Sequence, residues 1–324
     1  MARKHSRSPA QARTAFTLVE MLTVIVIISL LAALIVPAVM SAIKTARQGA
    51  MKMEVTNLAM ALENYRNQMG EYPPDFSQPT WQLKQAAINA HLSRAYRQRN
   101  LSRDYNGRIP GGSNSAGQNL GDLLTQADLD ALNPTNALWF WLRGFSPDPQ
   151  RPVTGSGNRT ASYEFKDTQL WRDPTSPFAV RYAPSQDSQR APYLYYRANT
   201  AAPGLEYALA DLWSYDSGSS DQKSLALPSG TQVTMPRPYF SNKGGVITYA
   251  EPQKFQIICA GLDGTYGQGG RTQQSNRPVT LDSSAPANPL GAITGIFPDG
   301  PYSSVDFDNI TNFTVEPTLE DSQP

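Results

Sequence analysis

From Met21 to Ile43 the chain carries no Asp, Glu, Lys, Arg or His, and one carboxylate, Glu20, stands at the head of that run. About twenty apolar residues in a row suffice to cross a bilayer as a helix. The sixteen Ile, Leu, Val and Phe residues between Phe16 and Ile43 contribute roughly −5 to −10 kcal/mol to insertion. One acid near the interface opposes this only weakly by comparison. The segment therefore inserts, and an ionisable group left at its mouth calls for a named partner. Arg3, Lys4, Arg7 and Arg13 precede it, which by the positive-inside tendency keeps the N-terminus cytoplasmic and puts the rest of the chain on the outer side.

The string Arg13-Thr14-Ala15-Phe16-Thr17-Leu18-Val19-Glu20-Met21-Leu22 resembles the class III signal of type IV pilins and type II secretion pseudopilins. The resemblance implies that prepilin peptidase cuts between Ala15 and Phe16 and methylates the new amine at Phe16. Glu20 then becomes the fifth residue of the mature chain. Pro37 takes the place of a proline that kinks many pilin stems. The family usually has Gly before the cut, where this chain has Ala15. An amine at Phe16 would lie close to a neighbouring subunit's Glu20, and such a pair sets axial register more than it adds net stability. Three plainer readings stand beside this one: a cleaved secretory signal ending at Val36-Pro37-Ala38, a simple membrane anchor, and a Glu20 that is an interfacial charge without a partner.

After Pro37 the apolar pattern becomes one-sided. Ile43, Ala46, Ala50, Met53, Leu58, Ala61, Leu62, Tyr65 and Met69 recur at helical steps, while Lys44, Arg47, Lys52, Glu54, Glu63 and Arg66 fill much of the remainder. Gly70 and Pro73-Pro74 end the helix. The expected plan has a basic leader at 1–15, a transmembrane half-stem at 16–43 and an amphipathic half-stem at 44–70. An inserted helical and loop region follows at 71–162, and a β-rich head at 163–324. Within the insertion, helices are expected at Trp81–Leu101 and Leu120–Leu132. The run Asn136–Leu142 reads as an amphipathic core helix, with a partner patch at Trp139 and Trp141 as the alternative. Strands are expected at Leu170–Pro174, Tyr193–Arg197, Tyr207–Tyr215, Gly245–Tyr249 and Phe255–Cys259. The Gly70–Asp75 turn, Leu170–Pro174 and the aromatic strand after it also resemble the pseudopilin pattern. The fold class is α+β: a long N-terminal transmembrane and amphipathic helix packed on a small antiparallel sheet head, pilin-like, with loop-rich insertions.

Composition narrows the chemistry. Charged residues make up 17% of the chain and the net charge is +1, so no basic surface for nucleic acid is implied. Cys259 is the only cysteine, which excludes an intrachain disulfide, and its apolar strand context makes it a core thiol. The two histidines are His5, in the leader, and His91, on what reads as a polar helix with nothing near in sequence to orient it. Neither a catalytic triad nor a zinc site can be assembled from so few ligands, and no Gly-Lys-Thr/Ser phosphate loop is present. No enzyme is expected. The 23 glycines and 26 prolines suit a loop-rich extracytoplasmic head.

Gly261-Leu262-Asp263-Gly264, with Asp306-Phe307-Asp308-Asn309-Ile310-Thr311-Asn312-Phe313 further on, resembles the C-terminal pattern of major pseudopilins, whose loop binds calcium. The resemblance implies Asp263, Asp306 and Asp308 as charged ligands for a Ca²⁺ ion that takes six to eight oxygens. The plainer alternative is two tight Asx turns. Taken together, the expectation is a filament subunit of type II secretion in the bacterial inner membrane, single-pass, with its head periplasmic. Its implied partners are other pseudopilins, prepilin peptidase, an assembly ATPase, a platform protein and a secretin. An adhesin or uptake component binding a surface, glycan or DNA is the first alternative, and a tethered periplasmic enzyme the second.

Overall fold

The structure is a computed structural model that describes residues 17–100, 124–152, 157–172, 176–185, 191–199, 207, 224–226, 232–234, 237–243, 246–267, 271–272, 293–294, 296–298, 300, 302 and 306–323. The expected cut between Ala15 and Phe16 and most of the strand expected at Tyr207–Tyr215 lie outside these residues. The fold is α+β, with one long apolar N-terminal helix and several small sheets. The chain divides into two compact units, Met1–Ala46 and Arg47–Pro324.

Helix α1 runs from Leu18 to Met69, with Pro37 inside it. The proline ring removes one backbone donor without ending the helix. In the first unit every described residue is exposed, and the large apolar side chains point to all sides. This length and composition are enough to cross a membrane. Gly70 ends α1 in the left-handed region at φ 87°, donating its N–H to the Arg66 carbonyl at 2.7 Å.

In the second unit the inward stripe of α1 is Met51, Val55, Leu58, Leu62 and Tyr65, in alternating steps of four and three. The expected stripe differs at its start: Met53 is 66% exposed, and Ala46 and Ala50 face outward. Met51 and Val55 continue the 58–62–65 row at helical spacing, whereas Met53 falls on the opposite side. Glu54, which the pattern puts on the polar face, is buried.

Helix α2, Trp81–Ala95, starts at Thr80, whose hydroxyl accepts from Leu83 N, and closes when Tyr96 N donates to Leu92 O. It is shorter than expected because Tyr96 leaves helical backbone and sets its ring against Phe145 at 6.0 Å. Helix α3, Gln126–Ala131, is also short. Thr125 and Asp128 form a capping box that fixes its start, and Lys84 Nζ donates to the Leu129 and Leu132 carbonyls. All six residues of α4, Ala137–Leu142, are buried.

The described strands are β1 (Leu170–Arg172), β2 (Val180–Tyr182), β3 (Leu194–Arg197), β4 (Ser224–Ala226), β5 (Gln232–Thr234), β6 (Phe240–Lys243), β7 (Val246–Tyr249), β8 (Phe255–Cys259), β9 (Arg271–Thr272), β10 (Ile293–Thr294), β11 (Ile296–Phe297) and β12 (Ile310–Thr311). They form separate two- and three-stranded sheets, ordered β1-β2, β4-β5, β10-β9, β11-β6-β7 and β12-β8-β3. The β11–β6 pairing is parallel and the others antiparallel.

The sheet β12-β8-β3 organises the core. Every residue of β8 is buried, and its side chains alternate between two apolar clusters. Phe255, Ile257 and Cys259 join Leu58, Leu62, Tyr65, Tyr193 and Tyr195. Ile258 joins Leu194, Tyr196, Tyr239, Phe240 and Tyr249. Cys259 is therefore a buried core thiol. Gln256, fully buried, accepts from Tyr239 N and donates to the Tyr239 and Ala250 carbonyls. Asn312 does similar work at the far edge, accepting from Ile257 N and donating to Phe255 O.

Candidate functional site

The start of α1 is the first candidate. Thr17 N and Thr17 Oγ1 both donate to Glu20 Oε2 at 2.8 Å, and Glu20 N donates back to Thr17 Oγ1 at 3.2 Å. This is a Thr-x-x-Glu capping box, satisfying two donors at the helix start and setting a negative charge at its positive end. The signal for it in the sequence is Thr17-Leu18-Val19-Glu20 directly ahead of an apolar run. Beyond Glu20, Leu34 is 75% exposed and Leu30 63%. A solvent-facing apolar surface of this extent marks a membrane or protein contact.

The acidic turns of the head are the second candidate. Asp308 Oδ2 accepts from Leu262 N at 3.0 Å and Asp263 N at 3.1 Å, so it caps the 261–264 turn. Gly261 sits there at φ 68°, and a Cβ on it would collide with Asp308. Burial, opposed by these hydrogen bonds and reinforced by the Asp263 charge, raises Asp308 to about 6. Asp263 Oδ1 accepts from Thr265 N at 2.7 Å. Asp306 goes elsewhere: it is buried and accepts from the Tyr239 hydroxyl at 2.7 Å, with its carboxyl packed against Gly267.

The two sequence segments thus meet, but their three carboxylates divide into an Asp263–Asp308 pair and an Asp306–Tyr239 pair. Among the described residues no group of three or more His, Cys, Asp or Glu converges. Asp263, Asp308 and the turn carbonyls carry the oxygen-donor chemistry that calcium takes, while Asp306 is engaged by the Tyr239 hydroxyl.

Two buried polar clusters went unseen in the sequence. In the first, His91 Nε2 lies 2.8 Å from Tyr65 Oη and His91 Nδ1 2.7 Å from Glu71 Oε1. Glu71 also accepts from Arg94 and Arg197. Burial raises Glu71, but the hydrogen bonds from His91 and Arg94 and the Arg197 charge bring it down to about 2. Burial lowers His91, and the bond to Glu71 opposes that shift. His91 is fully buried, not on a polar face. Its place at steps of seven and three from Lys84 and Ile88 on the inward side of α2 was the available signal. The Tyr65–His91–Glu71 order resembles an activated-nucleophile relay, yet the Tyr65 hydroxyl is sealed in the core at 1% residue exposure.

In the second cluster, Glu54 accepts from Tyr182 and Tyr193 hydroxyls at 2.5 Å and from Gln169 Nε2 at 3.0 Å. Nearby on α1, Lys52 Nζ donates to Thr311 O, Thr314 O and Thr314 Oγ1 at 2.6–2.8 Å, and burial lowers it to about 8.

Trp139 and Trp141 do not form a surface patch. They are 8% and 0% exposed, and Trp141 Nε1 donates to Pro74 O at 2.8 Å. The core alternative is the one the packing supports, because all six apolar side chains of this six-residue helix are buried, with Trp139 keeping a small exposed margin. No protein-family model, curated protein or solved structure matches the chain.

Proposed function

We propose that this chain is a structural subunit of a pilin-like periplasmic filament of the type II secretion kind, with a pilin-like fold, anchored in the inner membrane before assembly. The observation that carries this reading is α1: an apolar segment exposed on all sides, opening on Glu20 and continuing as one helix into the buried stripe Met51–Tyr65. Such an element has no apolar partner among the described residues of its own unit and suits lipid first and neighbouring stems later. Glu20 supplies register through a neighbour's Phe16 amine, which prepilin peptidase frees by cutting after Ala15. An assembly ATPase, a platform protein and a secretin complete the machinery. Sequencing the mature polypeptide from membranes tests the reading: it starts at Phe16 with a methylated amine, whereas a mature chain that still starts at Met1 overturns it.

Calcium binding at Asp263 and Asp308 is a second part of the proposal. What favours it is the carboxylate pair across one glycine turn, whose mutual repulsion a divalent cation would relieve. The adhesin alternative loses its suggested contact, since the Trp139 and Trp141 rings are inside.

A further inference from the structure

We propose that Arg143, stacked on Trp139 and flanked by Arg159, is a binding site for one carboxylate group. This inference stands apart from filament assembly. Arg143 follows α4 as its C-terminal cap residue. Its guanidinium lies 4.4 Å from the Trp139 ring centroid, 5.6 Å from Phe140 and 5.9 Å from Phe178. Nε is buried and has no acceptor. Among the described residues no carboxylate pairs with this guanidinium, and the charge that acts on it is another cation, Arg159. Arg159 is held alongside by a hydrogen bond from its Nη1 to Gly144 O at 3.3 Å.

An unpaired cation is costly to bury, and a like charge beside it adds to the cost. Burial first, then Arg159, lower Arg143 to about 10, so it stays cationic at neutral pH. The site therefore holds a fixed positive charge, pre-oriented by three rings, with one donor of its planar fork buried and without an acceptor among the described residues. The fork matches a planar carboxylate through two parallel N–H···O bonds. The aromatic rings suit a ligand whose carboxylate is borne on an apolar or aromatic group. One carboxylate offsets the Arg143 charge and offers an acceptor to the guanidinium fork, without requiring the several further donors that a phosphate dianion demands. The source of that group is either a free small acid or an acidic side chain of another protein.

The test uses the full chain in detergent micelles, with sodium benzoate, sodium acetate and an end-blocked Gly-Glu-Gly peptide as probes and sodium chloride at matched ionic strength as control. Tryptophan fluorescence and melting temperature are read together. Wild type gives a saturable change with a carboxylate probe beyond that of chloride. Arg143→Lys, which keeps the charge but loses the fork, weakens it by about tenfold. Arg143→Met abolishes it, and Arg159→Gln weakens it while Arg143 remains. A stronger response to the peptide than to benzoate identifies the protein source, and the reverse identifies a free acid. No saturable response to any of the three probes overturns the proposal. So does an undiminished response in Arg143→Lys, which also covers the case where Arg143→Met does not fold.

Discussion

Glu20 Oε2 receives both donors of Thr17, the backbone N–H and the hydroxyl, at 2.8 Å each. The carboxylate thus has a local use, as the closing residue of a capping box, beside its proposed use as a counter-charge for another copy. The two uses make different demands. A cap needs an acceptor at that position, which glutamine provides as well as glutamate. A counter-charge needs the ionised acid.

Glu20→Gln therefore separates them. With the counter-charge at work, Glu20→Gln and Glu20→Ala both fail to enter sheared or cross-linked filaments, while Thr17→Val, which removes the hydroxyl and keeps the acid, still assembles. Wild-type filament yield from Glu20→Gln would reduce Glu20 to a cap. The membrane-inserted fraction should be the same for all three variants, since the apolar run decides insertion.

The Tyr65–His91–Glu71 cluster predicts acid sensitivity. His91 and Glu71 are both held below their ordinary values, so the unfolded chain binds protons more readily than the folded one. Their stabilising contributions are present at neutral pH and vanish as pH falls. The His91 share goes first, below about 6.5, and the Glu71 share is lost between about 4.5 and 2. After discounting for partial exposure, the Glu71 share is about 2 kcal/mol. Melting temperature measured from pH 8 to pH 3 should fall in these windows, and His91→Gln should remove the first. A flat profile between pH 7 and 5 in wild type would show that His91 is not neutral in the fold.

How far the sequence disclosed this architecture depends on the range of the forces involved. The uncharged run, the stop at Gly70, the α4 core helix and the β8 strand are local patterns of period or punctuation, and they were legible. Glu54 and His91 were not. Each is a polar residue drawn inward by partners far along the chain: Tyr193 lies 139 positions from Glu54, and Glu71 lies 20 from His91. Periodicity assigns such residues to a polar face because it contains no information about distant acceptors and donors. The acidic turns show the intermediate case. Sequence resemblance brought the 261–264 and 306–308 segments together, but it could not reveal that Tyr239 claims Asp306.

Glu54 gives a stability prediction of its own. Its carboxylate accepts from Tyr182, Tyr193 and Gln169, all buried. Glu54→Ala strands three donors in the core and should cost about 3 kcal/mol, or about 10 °C in melting temperature. Removing the tyrosine hydroxyls together with the acid, in Glu54→Leu with Tyr182→Phe and Tyr193→Phe, should recover much of that loss, because two of the three stranded donors are then gone and the Gln169 amide keeps its bond to Ala183 O. If the triple variant melts no higher than Glu54→Ala, packing rather than unpaired donors accounts for the cost.

The last prediction concerns Asp308 and tests the calcium proposal from the metal-free side. Its folded value is raised to about 6, so the folded state is favoured below the ordinary carboxylate range and loses that advantage as pH rises from about 4 to 6. Above pH 6 the ionised carboxylate is a burden of about 1–2 kcal/mol after allowance for its partial exposure. Asparagine keeps an acceptor for Leu262 N and Asp263 N but carries no charge. Asp308→Asn should therefore melt higher than wild type at pH 7.5 in a chelator, by a few degrees. Added calcium should raise wild type and leave Asp308→Asn unmoved, so that the order of the two reverses. A calcium response that persists in Asp308→Asn but disappears in Asp306→Asn would place any cation at the Tyr239 side instead, against the division of carboxylates seen here.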